Sequence, residues 1–331
     1  MTLPRRLPIA PESPPSKRRL ALAPDVRAVD REWRPIFAVW EITLACDLAC
    51  SHCGSRAGKA RPDELTTAEA LDVVRQMHEL GVTEVTLIGG EAYLRDDWID
   101  LVRAISARGI RCSMTTGGRG LTLERAHAAK EAGLTNASVS FDGLAETHDA
   151  LRSLPGSFEA ALAALENFRV AGIPFTANTQ INRKNLAEIP ALFELLAERG
   201  IRAWQMMFTT AMGRAGDQED LLLEPYQLLD AMPMLAEIHA RAEALGVRFF
   251  AGNNIGHFGP YEHLFRGRSA TGIRGSCGAG KLVLGIEANG DVKGCPSLPS
   301  ESYVGGNLRD ASLLDIWERS KELRFARDMR V

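Results

Sequence analysis

From Phe37 onward, apolar and polar positions follow two alternating periods. Short apolar runs suited to strands, FAVWEITL, EVTLIG, RCSMTT, NASVSF, PFTANTQI and AWQMMF, are each followed by an amphipathic stretch. The 3.6-residue period predicts helices over about 66–80, 96–108, 122–132, 157–171, 186–199 and 224–245. Gly81, Gly109, Gly133, Gly172, Gly200 and Gly246 fall just past these stretches, where a left-handed cap ends a helix.

Six strand–helix units in succession call for a parallel sheet with helices on its outer face, and a curved six-strand sheet is an incomplete barrel. The predicted fold class is α/β, a partial (β/α)6 TIM-like barrel over residues 33–248. Ligands of such a sheet bind at the C-terminal ends of the strands.

Residues 1–32, dense in Pro, Arg and Lys, show neither period and read as a mobile arm. Beyond about residue 250 the chain turns glycine-rich. It then gives two short strand patterns, LVLGIEA and DVKGC, around Asn289-Gly290, a strong hairpin signal. A helical pattern follows, so residues 249–331 form a small hairpin-plus-helix extension.

The 331 residues are 45% hydrophobic and 24% charged, enough for one large domain with an appendage. A formal net charge of -3 gives no reason to expect nucleic acid or an anionic membrane as partner. No run is long and apolar enough to span a bilayer, and the N-terminus lacks the apolar segment of a secretory signal, so the expected location is the cytoplasm. There, the six cysteines are thiols or metal ligands rather than disulfides.

Three of them, Cys46, Cys50 and Cys53, make a C-x3-C-x2-C clasp immediately after the first strand. Three thiolates on a cubane iron–sulfur cluster leave one iron open for chemistry, whereas four usually restrict it to electron transfer. The alternative, a zinc knot, has only His52 nearby as fourth ligand, wedged between Cys50 and Cys53. Gly89-Gly90-Glu91 directly follows the second strand, at the same rim. Cys112, alone in the third strand, reads as a buried thiol. Met206, Met207 and Met212, at or after the sixth strand, read as core.

A C-x3-C-x2-C after strand one, Gly-Gly-Glu after strand two and a partial barrel together resemble the radical S-adenosylmethionine (SAM) enzymes. The resemblance covers roughly residues 36–245. It implies that Cys46, Cys50 and Cys53 hold a [4Fe–4S] cluster whose open iron chelates SAM, and that reductive cleavage yields a 5′-deoxyadenosyl radical. It also implies that Gly89, Gly90 and Glu91 receive the methionyl ammonium, although Ala92 stands where the family commonly has Pro. His52, usually an aromatic in the family, is expected to pack beside the cofactor.

SFDGLAETHDALR, after the fourth strand, resembles a segment of the peptide-modifying branch. By that likeness Ser140 and Arg152 bind the SAM carboxylate; the bland alternative is a turn at Asp142-Gly143 with a solvated Arg152. Thr176, Asn178 and Gln180 share one strand face, which suggests a lined cavity, with Asn178 on the SAM ribose. MGRA, residues 212–215, resembles the Gly-Arg segment of the same branch.

Cys277, Gly290 and Cys295 fit the opening of the SPASM or twitch extension, which holds auxiliary iron–sulfur clusters. The later cysteines of that extension do not follow before Val331, so the expectation is a shortened chain or an incomplete auxiliary site. The implied function is a radical SAM maturase acting on a ribosomally made precursor peptide, supplied by an external electron donor such as flavodoxin or ferredoxin. The rivals are a sulfatase-maturase-like or haem-precursor-modifying radical SAM enzyme, and a non-catalytic metal-stabilised peptide scaffold. No residue is assigned as acid or base.

Overall fold

The computed structural model describes residues 22–252, 254–256, 259–266 and 278–328. Helix α1 (Ala28–Glu32) precedes strand β1 (Phe37–Glu41), and the repeating units follow. These are α2 (Thr67–Leu80), β2 (Glu84–Ile88), α3 (Trp98–Ala107), β3 (Arg111–Thr116), α4 (Leu123–Ala132) and β4 (Leu134–Ser140). After β4 come two helices, α5 (Ala145–Arg152) and α6 (Ser157–Val170), then β5 (Phe175–Ile181), α7 (Ile189–Glu198), β6 (Ala203–Phe208) and α8 (Leu228–Ala244). Strand β7 (Arg248–Ala251), the hairpin β8 (Val283–Ile286) and β9 (Asp291–Lys293), and β10 (Gly306–Asn307) complete the sheet. Helices Leu313–Arg319 and Lys321–Asp328 end the described chain.

Local chemistry sets these boundaries. Thr66 accepts the Glu69 N–H at 3.3 Å while the Glu69 carboxylate accepts the Thr66 N–H at 2.8 Å, a reciprocal cap that starts α2. The helix ends at Gly81, whose φ of 95° is costly for a residue with a side chain. All six glycines predicted as caps have positive φ, between 70° and 104°.

The strand order is β10-β9-β8-β1-β2-β3-β4-β5-β6-β7, with β1 to β7 parallel. Alternation along each strand sorts the two faces. Ala38 and Trp40, Val85 and Leu87, Cys112 and Met114, Ala137 and Val139, and Trp204 and Met206 are buried under the helices. There Trp204 stacks on Phe193 of α7, ring centroids 5.6 Å apart. The opposite, concave face carries Thr86, Ser113, Asn136, Ser138, Ser140, Thr176, Asn178 and Gln180.

The hairpin is not a separate appendage. β8 pairs in parallel with β1, in register Phe37↔Val283 to Trp40↔Ile286, so the extension continues the barrel sheet. β7 also crosses the boundary expected at residue 248. The last part of the expected arm is ordered too. Asp30, fully buried, lies 2.9 Å from Arg27, 3.0 Å from Arg324 and 3.4 Å from Arg327, which ties α1 to the C-terminal helix. Residues 1–21 lie outside the described residues.

Candidate active site

The clasp loop leaves β1 at the C-terminal rim and folds back on itself. The Cys46 N–H donates to the Gly58 carbonyl at 3.0 Å and the Gly58 N–H to the Leu44 carbonyl at 2.9 Å. This places all three sulfurs against N–H donors. Leu48 N–H lies 3.4 Å from Cys46 Sγ, Ala57 N–H 3.4 Å from Cys53 Sγ, and Arg152 Nη1 3.5 Å from Cys50 Sγ. Burial pushes the Cys46 thiol up to about 12 and raises Cys50, so bare thiols here keep their protons. The donors suit thiolates, the form in which cysteine binds metal.

The sulfur spacing separates two kinds of metal site. A single tetrahedral zinc with Zn–S bonds of ~2.3 Å needs sulfurs about 3.8 Å apart. Among the described residues, the one trio of ligand atoms all within 4.8 Å of one another is Cys46, Asp47 and Glu91, not the three cysteines. At least one pair of the clasp sulfurs is therefore farther apart than a single zinc would hold it.

Gly89 and Gly90 lie directly under the clasp. Gly90 N–H donates to Thr43 O at 2.8 Å and Glu91 N–H to Ala45 O at 2.7 Å. A Cβ on Gly90 would stand 2.0 Å from the Ala45 carbonyl oxygen, and one on Gly89 2.2 Å from that of Thr43. The buried Glu91 carboxylate, pushed up to about 7 by burial, accepts Thr116 Oγ1 and the Gly117 N–H, each at 2.6 Å. It thus pins the loop after β3 to the loop after β2.

On the other side, Ser51 N–H donates to Leu151 O at 2.8 Å, and the turn Gly213–Asp217 straps the loop from β6. Arg214 N–H reaches Cys53 O at 3.0 Å, Arg214 Nη1 reaches Cys50 O at 3.1 Å, and Nη2 donates to Ala57 O. A Cβ at Gly213 would stand 2.2 Å from the Cys53 carbonyl oxygen, so only glycine lets the turn close.

Ser140 and Asn178 stand opposite each other on β4 and β5, and Asn178 Oδ1 accepts from Ser140 Oγ at 3.1 Å and from Ser138 Oγ at 3.3 Å. Arg152 is buried, not solvated. Its Nη2 lies 2.5 Å from Asp142 Oδ2, while its Nε has no partner among the described residues. Asp142 also takes the Gln180 N–H at 2.9 Å on Oδ1 and has His52 Nε2 at 3.0 Å from Oδ2. Burial opposes ionisation of Asp142, but the Arg152 guanidinium, together with the His52 hydrogen bond, holds it well below the usual carboxylate range.

The sequence alone does not mark Asp142, Arg214, Thr116 or Gly117 as site residues. Asp142 reads there as a turn former. Its signal is positional: it follows β4 at the rim, as Glu91 follows β2. Cys112 is fully buried, and burial pushes its thiol up to about 12. Met206 is core, whereas Met207 and Met212 are half-buried.

Cys277 lies outside the described residues. Cys295 is half-buried two residues beyond β9. The loop after it is fixed by Lys293, whose Nζ lies 2.8 Å from Leu298 O and 2.6 Å from Glu287. Glu287 in turn pairs with Arg61 at 2.9 Å.

Comparison with known proteins gives the same frame. Residues 40–208 match the family model of the Radical SAM superfamily, and residues 277–330 match SPASM, an iron–sulfur cluster-binding domain. The chain is 31% identical over 300 residues to the AdoMet-dependent heme synthase of Methanosarcina barkeri, covering 89% of this chain and 85% of that protein. It is 30% identical over 297 residues to the mycofactocin maturase MftC of Mycobacterium tuberculosis, covering 89% and 73%. In structure it is similar to SuiB of Streptococcus suis bound to S-adenosylmethionine, with a TM-score of 0.73 at 18% identity over 90% of this chain and 69% of SuiB.

Proposed function

The chain belongs to the radical SAM superfamily and carries a SPASM domain, and from that premise we propose that it matures a ribosomally made precursor peptide by radical oxidation or cross-linking. Its cofactors are a [4Fe–4S] cluster and SAM, with auxiliary iron–sulfur clusters implied by the SPASM domain. In this reading Cys46, Cys50 and Cys53 hold the cluster. Bound there, it supplies the electron, delivered by an external donor such as flavodoxin or ferredoxin, that converts SAM to a 5′-deoxyadenosyl radical.

The chain's own residues position and seclude. The rim built by Gly89, Gly90 and Glu91 receives the methionyl ammonium, Ser140 and Arg152 the carboxylate, and Asn178 the ribose. The buried Arg152 Nε, without a partner among the described residues, is a donor that burial makes costly to leave unmet. Cys277 and Cys295 contribute to the auxiliary site.

The observation that carries the peptide reading is the concave face. From the rim inward, β2 to β5 present Thr86, Ser113, Asn136, Ser138, Thr176 and Gln180, neutral donors and acceptors of the kind that pair with peptide backbone. On β2 to β5 the cation of that face, Arg111, sits at the far end, paired with Glu84 at 2.6 Å. The 30% identity to MftC, a maturase, agrees with this.

A second reading, modification of a haem precursor, is favoured by the 31% identity to a heme synthase. A tetrapyrrole carries ionised carboxylates that call for Arg or Lys at their ends; β2 to β5 themselves place none at the rim, and the loop cations Arg119 and Arg152 there are engaged by Asp47 O and Asp142. Anaerobic turnover of the reconstituted enzyme with peptides encoded near its gene, and separately with an iron coproporphyrin, decides between them. A mass loss on a peptide that requires SAM and a reductant supports the proposal. Turnover of the tetrapyrrole alone overturns it.

A further inference from the structure

Of the three sulfurs in the clasp, Cys46 and Cys53 take backbone N–H donors from their own loop, whereas Cys50 takes a charged one from 102 residues away. That donor is the near end of a buried chain. Arg152 Nη1 stands 3.5 Å from Cys50 Sγ, Arg152 Nη2 2.5 Å from Asp142 Oδ2, and His52 Nε2 3.0 Å from the same oxygen. His52, Asp142 and Arg152 are 3%, 1% and 9% exposed. The Asp142 backbone is fixed as well, its N–H donating to His148 Nδ1 at 3.1 Å and its carbonyl accepting from Asn185 Nδ2 at 3.1 Å.

We propose that Arg152 and Asp142 are an opposed pair of positioning residues that set the reduction potential of the cluster through the Cys50 sulfur. The inference rests on the reading of Cys50 as a cluster ligand. Reduction adds one negative charge to the cluster. A guanidinium donating to a ligand sulfur stabilises that charge and raises the potential. The carboxylate behind the guanidinium takes back part of the effect, because at these separations and this burial its field is weakly screened. Arginine stays protonated throughout, so the pair acts as a fixed dipole with its positive end at the sulfur.

The two ends therefore have opposite signs, which a purely structural role does not predict. The test is an EPR-monitored redox titration of the reconstituted full chain without SAM, following the cluster signal that a Cys46→Ala/Cys50→Ala/Cys53→Ala variant lacks. Arg152→Met is expected to move the midpoint to more negative potential by about tenfold in the one-electron reduction constant, ~59 mV. Asp142→Asn keeps the acceptor for the Gln180 N–H and is expected to move it the other way, and Arg152→Lys restores part of the Arg152→Met shift.

If Arg152→Met fails to fold, the sign of the Asp142→Asn shift decides alone. Unchanged midpoints, shifts of the same sign, or iron loss in folded Asp142→Asn protein overturn the proposal. Survival of the SAM-responsive signal in Cys50→Ala would instead sink the ligand reading beneath it.

Discussion

Glu91 holds Gly117. One carboxylate oxygen accepts the Gly117 N–H at 2.6 Å and the other accepts Thr116 Oγ1 at 2.6 Å, so the loops following two neighbouring strands are closed into one wall under the clasp. Glu91→Leu leaves that N–H and hydroxyl buried without an acceptor, at about 1–3 kcal/mol each. The expected outcome is lower thermal stability together with loss of SAM binding, measured by calorimetry on reconstituted protein. Unchanged stability would show that the wall does not depend on this contact.

Gly90 touches the clasp backbone so closely that even a methyl group cannot fit. Gly90→Ala is expected to cost ~3 kcal/mol through overpacking and to lower iron bound per chain after reconstitution. Gly109→Ala is the control, because a Cβ there meets nothing within 4 Å and only the positive φ is strained. Equal iron in both variants would contradict the close approach.

His148 gives a pH dependence. Burial, reinforced by the nearby Arg152 charge, lowers its pKa to about 4 from an ordinary 6.5. A histidine depressed in the folded state is neutral there while the unfolded chain binds a proton. Its stability contribution is therefore complete above pH ~6.5 and lost as pH falls toward 4, by up to about 3 kcal/mol. Urea unfolding of wild type and His148→Gln at pH 7.5 and 5 checks this: the substitution should shrink the acid loss, and equal losses would contradict it.

Asp30 locks α1 to helix Lys321–Asp328 through Arg27, Arg324 and Arg327. Removing one partner of a buried ion cluster costs ~3–5 kcal/mol. Asp30→Ala should open both segments to limited proteolysis while residues 37–208 stay protected, read by mass spectrometry of the fragments. Protection of both ends as in wild type would refute the lock.

The parts legible in the sequence were those with a local signal. Six strands, six helices and their glycine caps follow from periodicity and turn chemistry, and the clasp and Gly89-Gly90-Glu91 from spacing. What stayed hidden is long-range. β8 reads as half of a local hairpin, and nothing in LVLGIEA says that it also pairs in parallel with β1. Helix α5 is short, and its eight residues read as a binding segment rather than as an element. Asp142 and Arg152 lie ten residues apart, but their partners His52 and Cys50 arrive from the loop after β1, about 90–100 positions earlier. The ordering of α1 depends on arginines about 300 positions away. No helix among the described residues is long and apolar enough to cross a membrane.

The central claim is that Cys46, Cys50 and Cys53 hold a cluster with one iron left open to SAM. The most direct measurement is EPR of the anaerobically reconstituted, reduced protein before and after SAM is added, in wild type and in a Cys46→Ala/Cys50→Ala/Cys53→Ala variant. The account predicts a SAM-dependent change in the wild-type signal and no such signal in the variant. An identical spectrum with and without SAM, or a SAM response that survives loss of all three cysteines, would contradict it.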